Sequence, residues 1–335
     1  MKNVVLLDDL KEADIRPEKI YDEYKQLLSK DIREYFSETS LLVTIDCPGC
    51  SNKNSKFAFK KMGLDYRLCG DCGSLFISPR PTEEALGSFY RKSQSGIFLR
   101  KIFLGRTLES RSEKVFSYRI QWITGLTEEY LPDAKAFLDY ATKYSIFLKQ
   151  IKSTGLFDTV ISAFPECYEQ EDLLSEQIQI FKGNKLTTDS VDIFAAFEVV
   201  EKIFDPMKFF KDAHAACRNK GLFIITTTAS SGFEYQVLGE HSPNIIPIDR
   251  LNLLSLEALT RQIEKAGFEI IEVSTPGRID VEIVKKAYEK NPDIPLHPFW
   301  QYIFRHRDVN AMHSLQEYLQ QYQLSSHVRI AAIKR

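Results

Sequence analysis

The sequence has no excess of charge of one sign. Its 44 Lys and Arg stand against 46 Asp and Glu, a formal charge of -2, so no basic field draws nucleic acid or an anionic membrane surface. No apolar run approaches the roughly 18 residues of a membrane span. The opening Met1-Lys-Asn-Val-Val-Leu-Leu-Asp-Asp9 turns acidic too soon for a secretory signal, and a cytoplasmic location is expected. No two glycines are separated by a single residue, which excludes a dinucleotide-binding Gly-x-Gly turn. The six histidines, His214, His241, His297, His306, His313 and His327, form no metal-ligand spacing. These absences leave a small-molecule ligand or a partner protein as the expected partner, with no nucleic acid and no membrane. They admit a homo-oligomer.

What is present is a chain of 335 residues, long enough for one α/β domain of about 200 residues plus something smaller. Four of the six cysteines form two close pairs, Cys47-Pro-Gly-Cys50 and, after eighteen further residues, Cys69-Gly-Asp-Cys72. Each pair sets two thiolates on one turn, and two such turns close a tetrahedral four-thiolate shell around Zn²⁺ with no position open to water. The site is therefore read as structural. A bound zinc contributes on the order of 10–16 kcal/mol to folding a segment too small for its own core.

The patterning divides the chain into a helical lead-in (1–45), the zinc ribbon (46–80), a helical connector (81–130) and an α/β unit (131–335) with a helical insertion at 276–324. In the lead-in, Pro17 suits a first helical position, and Ile20, Tyr24, Leu27 and Leu28 recur at helical spacing. Thr82 caps the first connector helix, and a second runs from about Thr107 to Trp122. Its Arg111, Lys114 and Arg119 read either as a solvated face or as a basic wall over an anionic substrate. Strands are expected near Ala136–Leu138, Phe157–Phe164, Ile178–Phe181, Val191–Phe197, Leu222–Thr228, Phe268–Val273 and His327–Ile333. Between them, Asp205 caps a helix opened by Pro206 and ended by Gly221, with Cys217 in the core. Ser255 caps another that runs until Gly267. The alternation predicts a mostly parallel sheet with helices on both faces.

The decisive stretch is Ala136-Phe-Leu-Asp-Tyr-Ala-Thr-Lys-Tyr-Ser-Ile-Phe-Leu148, a buried strand passing through a tight turn into a helix. An α/β protein holds its ligand at such a place. This turn lacks glycine, offering Ala141, Lys143 and Ser145 where a ligand-cradling loop needs residues without Cβ.

The chain resembles the class I S-adenosylmethionine-dependent methyltransferases, in particular bacterial members with an N-terminal zinc ribbon. The resemblance rests on the four-cysteine segment running into Phe76-Ile-Ser-Pro-Arg-Pro-Thr82, on Phe137-Leu-Asp139, Leu156-Phe-Asp158, Phe197-Glu-Val-Val-Glu201 and Phe204-Asp-Pro206. Gly232-Phe-Glu234, Leu251-Asn252, Ala266-Gly-Phe268 and Ser274-Thr-Pro-Gly277 complete it. It implies a Rossmann-like seven-stranded sheet with the last strand antiparallel. It also implies a cofactor side lined by Asp139, Lys143, Tyr144, Glu198 and Phe164, and a substrate or anion side with Lys202, His241 and Arg250.

Several positions depart from the family pattern. Ala141, Lys143 and Ser145 replace loop glycines, and Phe164 stands where an acidic residue accepts hydrogen bonds from the ribose. Lys202 and Arg250 stand where histidines are usual. The sequence thus points to a methyltransferase-like protein with an eroded S-adenosylmethionine pocket, a binding or scaffolding component in small-molecule or surface-glycan biosynthesis. The rival is an active methyltransferase acting on a sugar or small metabolite, with Glu201, His241 or Arg250 near the acceptor. A third alternative keeps catalysis and changes the reaction, with Lys143 and Lys202 holding an anionic ligand; Lys202 and Arg250, with Arg111 or Arg119, read either as an anion pocket or as solvated surface cations.

Overall fold

The computed structural model describes residues 6, 10–141, 143–163, 170–181 and 186–335. Seven strands form the main sheet: β1 (Ala136–Tyr140), β2 (Thr159–Ala163), β3 (Gln179–Phe181), β4 (Val191–Phe197), β5 (Cys217–Thr228), β6 (Phe268–Ser274) and β7 (His327–Lys334). Their order across the sheet is β3-β2-β1-β4-β5-β7-β6. Strands β1 to β5 pair in parallel, and β7 runs antiparallel to both β5 and β6. This is the seven-stranded methyltransferase sheet that the sequence predicts. Parallel strands are covered by helices on both faces, so their residues read as continuous apolar runs. In β4 every residue except Asp192 is buried.

The sequence order reverses between β1 and β4, and a crevice opens beyond the carboxyl ends of the strands at that point. Helix α1 (Glu18–Tyr35) buries Tyr24, Leu28 and Ile32 over this end of the molecule. Between Gln94 and Tyr130 the connector is helical almost throughout, but two π-turns, Leu99–Phe103 and Ser112–Phe116, interrupt it before α2 (Ser117–Tyr130). Each π-turn shifts the side-chain phase. The shifts accompany the placing of Arg100, Phe103, Val115 and Phe116 on the crevice wall.

Helix α3 (Ser145–Ser153) follows β1, and α4 (Pro206–Ala216) links β4 to β5. The Asp205 side chain caps α4, accepting from the Lys208 amide at 3.0 Å. One expectation is corrected here. Gly221 does not end this helix; α4 stops at Ala216 and the chain enters β5 at once. Gly221 instead occupies the shift in register between Cys217 and Leu222, where a Cβ would lie 2.8 Å from the Arg218 carbonyl oxygen. Its glycine answers to close backbone approach rather than to a helix terminus. Cys217 is buried in the core as expected.

Helix α5 (Leu256–Lys265) is capped by Ser255, whose hydroxyl accepts from the Ala258 amide, and it packs Leu259 and Ile263 inward. Between β6 and β7 the insertion supplies α6 (Asp280–Lys290), α7 (Pro298–His306) and α8 (Val309–Gln321). It shares an apolar cluster with Phe233 and Leu238. No helix among the described residues is long and apolar enough to cross a membrane.

The four-cysteine segment builds a smaller sheet from Leu75–Ile77, Leu64–Cys69 and Ser55–Lys61. Asn252–Leu253, from far along the chain, extends it. Arg80 fastens the two together. It is fully buried and donates to the carbonyls of Ile77, Phe204 and Leu251 and to the Asn252 side chain. The Tyr66 hydroxyl donates to the Arg250 carbonyl at 2.9 Å, so the ribbon also holds the backbone that presents Arg250 to the crevice.

Candidate functional site

The cysteine cluster follows from its two turns. The Cys47 carbonyl accepts from the Ser51 amide at 2.8 Å and the Cys69 carbonyl from the Gly73 amide at 3.1 Å. A Cβ on Gly49 would stand 2.6 Å from the Ser74 hydroxyl, so a larger residue would displace the first turn from the second. The four sulfurs of Cys47, Cys50, Cys69 and Cys72 lie within 4.8 Å of one another. Cys47 and Cys72 approach to 3.5 Å, as do Cys50 and Cys69. Tetrahedral zinc with bonds of about 2.3 Å holds its sulfurs roughly 3.8 Å apart. The cluster fits such an ion with a small expansion. A complete set of four thiolates leaves no place for a catalytic water.

The crevice is a cavity of about 300 Å³ at the carboxyl end of the sheet, at the lower end of the range for small-molecule sites. Strands β1, β4, β5 and β7 supply its floor through Asp139, Phe197, Thr226 and Arg329, while α1, the π-turns and α2 form a roof. Asp139 is buried at the end of β1. Just after the strand, Ala141 takes a left-handed backbone at φ 56° with its Cβ in place. Lys143 then turns across the crevice, and its Nζ donates to the carbonyls of Phe197, at 3.3 Å, and Glu198. Tyr144 packs against Phe116 with ring centroids 5.2 Å apart, and its hydroxyl lies 3.4 Å from the Thr107 hydroxyl.

Glu198 follows β4 in a left-handed conformation, φ 57°. Its carboxylate accepts from the Thr226 hydroxyl at 2.8 Å and lies 3.5 Å from His327 Nδ1. Burial opposes its charge, but His327, Arg119, Arg250 and Lys143 outweigh burial and hold its pKa well below the usual carboxylate range. His327 is itself lowered by burial and by Arg119, Arg329 and Arg278, against the pull of Glu198. A second buried carboxylate, Glu234, is pushed up to about 7 by burial, although Ser242 and Asn244 donate to it.

Lys202 and Arg250 both reach the crevice, and each meets an acid there. Lys202 pairs with Asp249 at 3.1 Å, and Asp249 also accepts from the Tyr24 hydroxyl at 2.6 Å. Arg250 pairs with the fully buried Glu201 at 3.3 Å, whose other oxygen accepts from Thr227 at 2.7 Å. The structure thus brings Asp139, Lys143, Tyr144, Glu198, Lys202 and Arg250 to one cavity. Phe164 lies outside the described residues.

His241 requires a correction, because it does not line the cavity and is exposed at the end of the Gly239–His241 turn. Lys61 of the ribbon hairpin donates to the carbonyls of Glu240 and Ser242, at 2.9 and 2.6 Å, and fixes that turn.

Of the opposite wall, the sequence reading weighed Arg119 and passed over Arg278, His327 and Arg329. His327 and Arg329 alternate on β7 and pair in register with Thr228 and Thr226 of β5. Arg278 enters from the loop before α6 and Arg119 from α2. Two basic residues at i and i+2 opening a strand that is otherwise apolar up to Lys334 were the available signal, since they put both side chains on one face.

Residues 114–273 match the family model described as a methyltransferase domain. The chain carries a methyltransferase domain. The match covers β1 to β6 and with them most of the cavity floor. No curated protein matches the chain by sequence. Among solved structures, phosphoethanolamine N-methyltransferase 2 of Haemonchus contortus is similar at 18% identity, covering 78% of this chain and 62% of its own, with a TM-score of 0.49. Geranyl diphosphate C-methyltransferase of Streptomyces coelicolor, solved with Mg²⁺, geranyl diphosphate and S-adenosylhomocysteine, is similar at 12% identity. It covers 65% of this chain and 77% of its own, with a TM-score of 0.43.

Proposed function

We propose that this protein is a methyltransferase-fold binding component of small-molecule metabolism, whose standard S-adenosylmethionine position is filled by its own Lys143. The observation that carries the reading is the pair of hydrogen bonds from Lys143 Nζ to the Phe197 and Glu198 carbonyls, at the switch point between β1 and β4. Carbonyls at a strand end attract an ammonium group. S-adenosylmethionine carries one on its amino-acid portion, and Lys143 supplies the same group from within the chain. Hydrogen bonds to a charged partner are worth about 1.5–3 kcal/mol each, so displacing Lys143 costs roughly 3–6 kcal/mol of a micromolar affinity worth about 8. The Cβ of Ala141, held at a positive φ, adds a further obstacle to close backbone approach.

An active methyltransferase is the second reading. It is favoured by Asp139, which stays buried at the end of β1 on the cavity floor. The variant Ala141→Gly, Lys143→Gly, Ser145→Gly separates the two. Calorimetric titration with S-adenosylhomocysteine should show at least a tenfold gain in affinity over the unaltered protein, with the zinc content and thermal unfolding of both compared as a check on folding. Equal affinities in a folded variant would remove Lys143 as the obstacle.

A further inference from the structure

Nine of the residues lining the cavity are Lys or Arg and five are Asp or Glu, although the whole chain carries a formal charge of -2. The basic surplus is therefore concentrated at one place. Lys202 and Arg250 do not account for it, because Asp249 and Glu201 neutralise them within the protein. The wall made by α2, the loop before α6 and β7 differs. Arg119 lies 4.1 Å over the Phe197 ring and reaches the Thr226 hydroxyl at 3.4 Å. Arg329 lies 4.0 Å over Trp122, and its acid partner, Glu272, stands 3.8 Å away. Arg329 is 8% exposed, and its Nε has no hydrogen-bond partner among the described residues. Arg278 lies 5.1 Å from the Tyr118 ring and donates to the Lys114 carbonyl at 2.6 Å. All three guanidinium groups act on His327, which lies among them and loses its proton more readily for it.

We infer that this wall is a binding site for the anionic end, phosphate or carboxylate, of a small organic molecule whose planar or apolar body lies against Trp122 and Tyr118. A guanidinium packed over an aromatic ring has five N–H donors, more than its contacts within the protein use here, and an oxyanion accepts from two such groups at once. Glu198 and Asp139 act on Arg119 and Glu272 faces Arg329, so the three guanidinium charges are balanced with His327 neutral, and protonation of His327 makes the wall net positive. The aromatic faces add contact area for a ring-bearing ligand. The inference rests on the reading of the cavity as a ligand site that does not hold the usual cofactor. Of the residues expected to form an anion pocket, Lys202 and Arg250 with Arg111 or Arg119, it keeps Arg119 and adds Arg278 and Arg329.

The test is calorimetric titration of the full chain, loaded with zinc, with phenyl phosphate, benzoate, inorganic phosphate and the neutral control benzyl alcohol. Either ring-bearing anion should bind at least tenfold tighter than benzyl alcohol. Preference for phenyl phosphate or for benzoate identifies the group, and inorganic phosphate alone reports the contribution of the ring. Arg119→Gln and Arg329→Gln should each weaken the preferred anion at least tenfold. Because those side chains are well packed, Arg278→Gln at the half-buried position gives the deciding loss if either fails to fold. No binding of any anion at about 10 mM, an affinity equal to that of benzyl alcohol, or unchanged binding by folded variants would overturn the inference. Silence towards S-adenosylhomocysteine alongside silence towards the anions would defeat this inference alone. Anion binding accompanied by tight S-adenosylhomocysteine binding would defeat the proposed function alone.

Discussion

Cys69→Ala is expected to abolish stoichiometric metal binding and to collapse the cooperative unfolding of the N-terminal part of the chain. The four sulfurs form one cluster, so removing any one of them leaves an incomplete shell. A structural zinc contributes on the order of 10–16 kcal/mol, as much as the entire stability of an ordinary domain, about 5–15 kcal/mol. Few other single changes in this protein have so large an expected effect. The ribbon does not fail in isolation. Its strand Leu75–Ile77 pairs with Asn252–Leu253, Gln262 of α5 donates to the Pro48 carbonyl, and Tyr66 holds the backbone at Arg250. Loss of zinc should therefore loosen the crevice as well as the ribbon. The check is metal content together with thermal unfolding. About one equivalent of zinc in the unaltered protein and less than half in the variant, with a large fall in Tm, is the expected result. Equal unfolding curves would remove the metal from the account.

Arg80→Ala should destabilise the protein by about 3–5 kcal/mol, measured by urea unfolding. Arg80 is a fully buried cation with no carboxylate partner in its set of hydrogen bonds; its acceptors are three main-chain carbonyls and one side-chain amide oxygen. Burial pushes its pKa down to about 9, which leaves it charged at neutral pH. Truncation leaves those acceptors without their donor in a place water does not reach, and each costs about 1–3 kcal/mol if it stays unsatisfied. Arg80→Lys should recover little, since one ammonium cannot reproduce a planar fork reaching both Phe204 and Asn252. A loss below about 1 kcal/mol for the alanine variant would mean that the ribbon is not fastened here. Because Leu251 and Asn252 follow Arg250 directly, the same variant should also weaken ligand binding at the crevice.

Most of the architecture was legible because burial on both faces leaves a plain mark on composition. Strand β4 was found at both ends, and the caps at Thr82, Asp205 and Ser255 stand where their side chains accept from the helix. The cysteine spacing likewise announced four thiols brought together. Local signals failed where tertiary contacts decided the outcome. Gly221 reads as a helix stop from its neighbours, yet it is glycine because of carbonyls at Arg218 and Asp192. The π-turns at Leu99–Phe103 and Ser112–Phe116 break the helical phase, so periodicity could not show which connector residues face the crevice. Of the cations weighed in the connector, Arg119 lies half-buried on the crevice wall, and its aromatic contacts involve Phe147 and Phe197, residues distant in sequence.

The crevice itself was half legible. The strand-to-helix turn drew attention to Asp139, Lys143 and Tyr144, and the lack of glycine there had a specific structural sequel in the hydrogen bonds of Lys143 to β4. The ion pairs of Lys202 and Arg250 were hidden because Asp249 carried no signal of its own and Glu201, though singled out in its motif, lies 49 residues before its partner. A cation read from sequence carries no record of its counter-ion.

The central claim is that Lys143 occupies the place where the methyltransferase cofactor would bind. Its most direct test is calorimetric titration of the unaltered, zinc-loaded protein with S-adenosylhomocysteine and S-adenosylmethionine. The account predicts no measurable binding at about 1 mM of either. Binding of either ligand tighter than roughly 100 μM, about 5.5 kcal/mol, would contradict it and make the protein a methyltransferase with an unusual cofactor turn.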